Sequence, residues 1–123
     1  MAYPNDQGNP SGAIPVYMAQ AQSNPLSQTP INFAASGNNT VVAAVAGKGI
    51  YVYRMYFTVA GATNITIYNG TTPLTGAIPL ATNGSYVLDF SGIPWYTVTA
   101  GNAFIINSSA AVQVSGAADY IQK

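Results

Sequence analysis

Residues Ile50–Val59, with the sequence Ile-Tyr-Val-Tyr-Arg-Met-Tyr-Phe-Thr-Val, decide the fold class of this chain. Nearly all of them are β-branched or aromatic, and such residues favour extended backbone. Strict alternation gives the strand a mixed side around Arg54 and an almost wholly apolar side, made of Tyr51, Tyr53, Met55, Phe57 and Val59. Because both sides carry large apolar groups, we expect a central strand or one that lies beneath a subunit contact.

Short β-type segments surround this strand, and none of them has helical periodicity. Asn69-Gly70 and Asn83-Gly84 each predict a two-residue hairpin, and Gly116 predicts a bulge or bend. The other predicted strands are Thr40–Val45, Thr63–Tyr68, Ala77–Leu80, Ser85–Phe90, Trp95–Thr99, Ala103–Asn107 and Ala111–Ser115, and we expect Ala118–Gln122 to continue the last of them. About seven to nine short strands at intervals of about 8–12 residues predict an all-β fold, either an antiparallel β-sandwich or a jelly roll.

The first 30 residues differ in composition from the rest. They contain Pro4, Pro10, Pro15, Pro25 and Pro30. Ordering their backbone costs about 1–2 kcal/mol per residue, while each of their few large apolar side chains returns only about 1.5–3 kcal/mol on burial. We therefore expect residues 1–30 to be an extended arm that lies on another surface, and residues 31–123 to be the sandwich. The expected contacts of the arm are Tyr3, Ile14, Val16, Tyr17 and Met18. A tail without a role is the alternative.

Charge is scarce, since charged residues make up 5% of the chain and the net charge is zero. A typical soluble domain has about 25% charged residues. The cations Lys48, Arg54 and Lys123 form no basic patch, so neither nucleic acid nor an anionic membrane surface is an expected partner. A net charge of zero weakens the repulsion between copies and favours association.

The apolar stretch 41–62 is long enough to raise the question of a membrane span. Lys48 and Arg54 near its middle and the glycines beside Lys48 argue against one, and a β-hairpin explains the stretch better. The first residues lack the cation and the apolar run of a secretory signal. We therefore expect synthesis and assembly in a cytoplasm.

The side chains that usually carry out acid–base and nucleophilic catalysis are scarce. The chain has no His, Cys or Glu, which leaves three Asp residues and Lys48 for proton transfer near neutral pH. No nucleophile elbow, Walker loop or dinucleotide-binding motif occurs. Asp89 and Asp119 could form a pair, but their positions in the sequence do not require it. We predict that the protein is not an enzyme and has no catalytic residue, cofactor or metal site.

Aromatic residues give the positive binding signal. Trp95 and Tyr96 lie in a loop and could anchor an interface or stack on a sugar, while the alternative for Trp95 is a core position at one end of the sandwich. Tyr51 and Tyr53, with Arg54 between aromatic neighbours, predict a subunit contact. An arginine in so apolar a strand is expected to pair with a carboxylate or with carbonyl groups.

Several segments resemble small β-sandwich virion proteins of tailed bacteriophages, a group that includes capsid decoration (cement) proteins and modules of head or tail fibres. These segments are Met1–Asp6, Gly12–Tyr17, Thr40–Ile50, Gly61–Thr66, Gly101–Phe104 and Ala111–Gly116. The resemblance implies a jelly-roll-like subunit, often trimeric, that is fixed on the capsid lattice. It also implies an N-terminal arm that reaches a neighbour or the major capsid protein.

Two functional hypotheses follow. The first is a structural protein on the capsid surface of a bacteriophage, which cements the shell and has the major capsid protein and itself, as a homotrimer, for partners. The second is a receptor- or glycan-binding module of a phage head or tail fibre, with Trp95 and Tyr96 as its stacking surface.

Overall fold

The computed structural model describes residues 25–123, and all regular elements in that range are β-strands. They are β1 (Ser27–Phe33), β2 (Gly37–Val42), β3 (Ile50–Val59), β4 (Thr63–Asn69), β5 (Thr72–Pro73), β6 (Ile78–Leu80), β7 (Ser85–Leu88), β8 (Tyr96–Val98), β9 (Phe104–Ser108) and β10 (Val114–Gln122). The predicted all-β class is confirmed.

The strands form two antiparallel sheets around one core. The first sheet has the order β1-β10-β3-β7, with β8 also paired to β3, and the second has the order β2-β9-β4-β5, with β6 also paired to β4. β7 and β8 pair with different parts of β3, so they are two halves of one edge position. β5 and β6 share the edge beside β4 in the same way. If β7 with β8, and β5 with β6, are each counted as one strand, both sheets have four strands. This is the arrangement of a jelly roll.

A bulge in β3 determines which of its side chains are buried. Arg54 pairs with Asp119 but Val52 pairs with Tyr120, so Tyr53 has no partner on β10. The extra residue shifts the alternation by one position. The strictly alternating faces expected from the sequence are therefore wrong, because apolar residues from both of them lie on the core side. Ile50, Val52, Met55, Phe57 and Val59 are each at most 1% exposed.

The second sheet supplies the opposite wall of the core from its two central strands. Ile65 and Ile67 of β4 and Phe104 and Ile106 of β9 are all 0% exposed. In both strands buried and less buried positions alternate without interruption. Burial of each such side chain contributes about 1.5–3 kcal/mol, so this layer is a main source of stability.

One of the two predicted hairpins forms, with a shift of one residue. Asn69 pairs with Thr72, so Gly70 and Thr71 make the turn between β4 and β5, and Gly70 has a φ of 61°. The prediction for Asn83-Gly84 is wrong, because this turn connects β6 of the second sheet to β7 of the first. Turn chemistry fixes the local bend but does not determine which strands then pair.

The end of the chain is one strand, β10, so residues Ala118–Gln122 continue the strand before them, as predicted. Gly116 pairs regularly with Phe57 and with Ile31, so the predicted bulge there is wrong, and the irregularity lies between Asp119 and Tyr120. β1, which was not predicted, begins at Ser27 and thus includes the last residues assigned to the arm. Most of that arm lies outside the described residues, and the division into arm and sandwich stays a prediction.

Replacement of Gly116 by alanine is expected to destabilise the fold. A Cβ at this position would overlap the carbonyl oxygen of Tyr56 and lie 2.6 Å from the Cα of Phe57. Both are backbone atoms of the central strand, so the cost should be at least about 2 kcal/mol. The free energy of unfolding in urea measures it. Gly76→Ala is the control, because nothing lies within 4 Å of its Cβ position; equal losses in the two variants would contradict the prediction.

Candidate interaction surface

The outer side of the first sheet carries large apolar and aromatic groups. Tyr56 of β3 and Val87 of β7 are neighbours in the ladder, and they are 40% and 60% exposed. Tyr51 and Ile121 are also paired, farther along β3, and both are half-buried. We call this surface, formed by Tyr51, Arg54, Tyr56, Val87 and Ile121, the aromatic face.

The one ion pair of the described residues lies on the aromatic face. The Nη1 of Arg54 is 3.4 Å from the Oδ2 of Asp119, so the expected pairing with a carboxylate is confirmed. Gln28 donates a hydrogen bond of 3.1 Å to the other oxygen of Asp119, and the guanidinium carbon of Arg54 lies 5.2 Å from the ring centre of Tyr56. A partly exposed pair of this kind adds at most about 1 kcal/mol of stability. Its main effect is to cancel the charge of Arg54 on this face.

The loop 89–95, which we call the edge loop, projects from the edge of this sheet. β7 pairs with residues 55–58 of β3 and β8 with residues 50–52, so the edge loop lies opposite the bulge. The indole nitrogen of Trp95 donates to the carbonyl oxygen of Asp89 at 2.7 Å and thereby closes the base of the loop. The ring of Phe90 stacks on that of Tyr53, with their centres 6.0 Å apart.

The edge loop exposes three large apolar side chains. Phe90, Ile93 and Trp95 are 57%, 70% and 48% exposed. Together with Tyr56 and Val87, they account for five of the eight exposed large hydrophobic side chains of the described residues. Trp95 is therefore not a core residue, and the alternative that placed it there is wrong. Contiguous apolar patches of this kind mark interaction sites.

Tyr96 points the other way from Trp95. Its hydroxyl lies 2.7 Å from that of Tyr86, and its ring centre lies 6.2 Å from that of the buried Phe104. Burial raises the pKa of Tyr96 well above its usual range, and the hydrogen bond with Tyr86 acts in the same direction. Because one ring is outside and the other packs on the core, Trp95 and Tyr96 form no common stacking surface.

The outer side of the second sheet is uncharged and mostly polar, with Tyr68 and Ile105 as its larger apolar groups. Side chains that alternate with the buried ones on β2, β4 and β9 form it, and the Nδ2 of Asn107 donates to the Oδ1 of Asn38 at 2.7 Å. We call this surface the amide face; it consists of Asn38, Thr40, Asn64, Thr66 and Asn107. The two outer sides of the sandwich therefore differ, one aromatic and one amide-rich.

A shallow pocket of about 560 Å³ lies beside β4 and β6 and has no charged residue in its lining. At its wall the hydroxyls of Thr63 and Ser108 are 2.8 Å apart, and Thr63 also accepts from the backbone nitrogen of Ala110. These hydrogen bonds satisfy the buried hydroxyl groups, so Thr63 and Ser108 have a structural role. Within residues 25–123, no three acidic, His or Cys side chains are grouped so that they could hold a metal ion. That range also contains no helix long and apolar enough to cross a membrane.

Five predicted interface residues can be located. Tyr51 and Arg54 are on the aromatic face, Tyr53 is in the bulge beneath Phe90, Trp95 is in the edge loop, and Tyr96 packs inward. Tyr3, Ile14, Val16, Tyr17 and Met18 lie outside the described residues. The interface role of all ten stays a prediction. Sequence reasoning missed Val87, Phe90 and Ile93, although an apolar residue between Gly92 and Pro94 is a signal of an exposed loop tip.

Comparison with known proteins gives one weak structural similarity. No protein-family model matches the chain, and no curated protein matches its sequence. Among solved structures, the chain is similar to the coat protein of Tobacco streak virus, with 15% identity and a TM-score of 0.36. The match covers 78% of this chain and 86% of that protein. That neighbour is a viral coat protein, but a likeness of this degree carries no argument about function.

Alkaline pH should destabilise the protein through Tyr96. Its pKa is raised in the folded state, so above the ordinary tyrosine value of about 10 the unfolded chain ionises while the folded one does not. Stability that is present below that pH is then lost as the pH rises. Urea unfolding at several pH values from 8 to 11 should show a shallower decline for Tyr96→Phe than for the wild type. Parallel declines would show that Tyr96 does not cause the loss.

Proposed function

We propose that this protein is a structural component of a bacteriophage virion that decorates and cements the capsid. It is assembled in the host cytoplasm and sits on the capsid surface, where its partners are the major capsid protein and further copies of itself. The observation that carries this proposal is the aromatic face, which exposes Tyr56 and Val87 and on which Asp119 cancels the charge of Arg54. The resemblance of several segments to phage virion proteins supports it.

The composition of the aromatic face fits a protein contact. Tyrosine, tryptophan and arginine dominate the residues that contribute most to binding between proteins, whereas unpaired charges are depleted at interface centres. Here Tyr51, Tyr56 and Arg54 stand together, and Asp119 neutralises the arginine. The hydrogen-bonded backbone of a central strand presents them without the entropy cost of ordering a loop.

The difference between the two outer sides gives the subunit an orientation. We propose that the aromatic face lies against the capsid and that the amide face is turned to solvent. Uncharged amides and hydroxyls keep contact with water without adding charge to a crowded surface. A protein that binds the assembled shell but not its separated subunits stabilises the shell by mass action, which is how a cement protein acts.

Binding to emptied capsids tests the proposal. The purified protein should cosediment with capsids of its own phage stripped of this chain, and the capsids should then withstand higher temperature. Tyr56→Ser should lower the affinity more than about fivefold, because it truncates an exposed aromatic side chain in the middle of the contact. Tyr68→Ser is the matched control, since Tyr68 lies on the outer side of the second sheet. Absence of binding by the wild type, or equal effects of the two variants, would overturn the proposal.

The arm is the second proposed contact, through Tyr3, Ile14, Val16, Tyr17 and Met18. β1 begins at Ser27, so deletion of residues 2–24 leaves all ten strands of the described residues intact. We expect the shortened protein to keep the thermal midpoint of the full chain and to bind emptied capsids more weakly. Differential scanning calorimetry and cosedimentation measure the two effects. Unchanged binding would show that the arm makes no contact with the capsid.

A further inference from the structure

Four of the six edge strands of the described sandwich carry a feature that hinders further pairing. Pro30, Pro73 and Pro79 lie within β1, β5 and β6, and a proline has no N–H group to donate to a ladder. β2 has a bulge, since its register with β9 shifts between Thr40 and Val42. Prolines and bulges keep edge strands from pairing with other chains. The edge formed by β7 and β8 has neither feature.

The hydrogen bonds of β3 show which of its backbone groups point toward β7. Val59 donates to the carbonyl oxygen of Gly84 at 3.0 Å and accepts from the backbone nitrogen of Asn83 at 2.8 Å. Both backbone groups of Val59 therefore point toward the β7 side of the sheet. Alternate residues of an antiparallel ladder share one direction, so the groups of Phe57 and Met55 also point toward β7.

Two of the four residues of β7 consequently turn their backbone groups outward. Tyr86 and Leu88 are the ladder partners of Phe57 and Met55, so their N–H and C=O groups point toward β3. The N–H and C=O groups of Ser85 and Val87 point away from β3, and the described part of the chain gives them no backbone partner. The side chain of Val87 is 60% exposed, so this free edge is apolar as well as unpaired.

The arm contains a sequence that the sandwich already uses as an edge strand. Residues 12–15, Gly-Ala-Ile-Pro, recur unchanged as residues 76–79, and an aliphatic residue follows in both places. The second copy runs into β6, which among the described residues pairs with β4 on one side only and leaves Pro79 exposed. A strand of this sequence pairs on one side and, through its proline, ends the sheet on the other.

We infer that the arm of one copy adds to the free edge of β7 in a neighbouring copy as one further antiparallel strand. Val87 needs a partner that has an N–H group, so the residue opposite it is Ile14 or Val16 and not Pro15. In the register that gives both outward residues of β7 a β-branched partner, Ile14 is opposite Val87. Val16 is then opposite Ser85. The inference rests on the proposed function, because a shell holds copies side by side.

The arm leaves the sandwich at the opposite edge of the same sheet, which favours a neighbouring copy as the acceptor. β1, which begins soon after Pro25, and β7 are the two ends of the strand order β1-β10-β3-β7. The nine residues from Val16 to Pro25 span about 30 Å when extended. This reach suffices for a neighbour's β7 beside β1, whereas a path to the arm's own β7 crosses the aromatic face, which the proposed function turns to the capsid. A contact between opposite edges is head-to-tail and closes into a ring, which agrees with the homotrimer that the resemblance implies.

Pro15 limits the contact to one added strand. In this register it is opposite Tyr86, so its missing N–H group falls on the outer side, and the new edge lacks a donor for a further chain. Residues 12–18 and β7 carry no charge, so the pairing buries no charged group. About four backbone hydrogen bonds form, which make a weak contact in dilute solution and a stable one where neighbours are held at high effective concentration.

A synthetic peptide of residues 10–20 tests the pairing with the full chain in dilute solution. Titration followed by nuclear magnetic resonance should show saturable binding with a dissociation constant below about 1 mM, the effective concentration of tethered neighbours. Hydrogen exchange of the Val87 amide should slow. N-methylation of Val16 in the peptide should weaken binding about tenfold, since it removes a donor that faces β7. N-methylation of Tyr17 is the control, because that donor faces away; absence of binding, or equal effects of the two methylations, would overturn the inference.

Variants of the acceptor strand test the place of binding. Val87→Lys should weaken peptide binding at least about tenfold, because a charged side chain on an edge strand opposes the addition of another strand. Leu74→Lys is the matched control, since Leu74 is also exposed but lies beyond β5 in the second sheet. Equal loss in the two variants would place the peptide elsewhere and overturn the inference.

A disulfide test identifies which copy supplies the arm. The chain has no cysteine, so any disulfide comes from the introduced residues. Each of the single variants Ile14→Cys and Val87→Cys gives at most a dimer on oxidation, whereas the double variant, oxidised in concentrated solution, should give larger species that end in a closed trimer. Dimers alone, or a monomer with an internal disulfide, would overturn the inference. None of these experiments uses capsids, so failure of this inference and failure of the proposed function are distinguishable.

Discussion

The structure depends on one extra residue in the central strand. With Tyr53 unpaired on the β10 side, the alternation of β3 changes phase, and Ile50 and Val52 come to lie on the same side as Met55, Phe57 and Val59. Without the bulge, part of this apolar set would face solvent and Arg54 would point into the core. A buried arginine without full compensation costs several kcal/mol, so the bulge resolves a conflict that a regular strand could not.

The same bulge separates core from contact surface. Residues that do not enter the core, among them Tyr51, Arg54 and Tyr56, stand together on the outer side, where Asp119 and Gln28 complete the hydrogen bonding. The edge position beside β3 is interrupted at the level of the bulge. β7 lies on one side of the interruption and β8 on the other, and the edge loop connects them. The loop carries its apolar residues outward, so the largest exposed patch lies next to the irregularity that fixes the core.

The near absence of charge has a structural consequence as well as a functional one. Only one ion pair forms in the described part of the chain, and hydrogen bonds among amides and hydroxyls take the place of others on the second sheet. Such a surface repels its own copies weakly. Association is then controlled mainly by where apolar groups are exposed.

The sequence by itself determined the all-β class, most strand positions, the need of Arg54 for a carboxylate or carbonyl partner and the shortage of catalytic groups. These follow from local properties: β-branched and aromatic runs, turn residues, and residue types that are present or absent. Only the tertiary structure decided that Tyr53 is extra, that Trp95 faces outward while Tyr96 faces inward, and that Asn83-Gly84 crosses between sheets. Each of these depends on which strand lies alongside, and β1 in particular was hidden because its partner β10 comes from the other end of the chain.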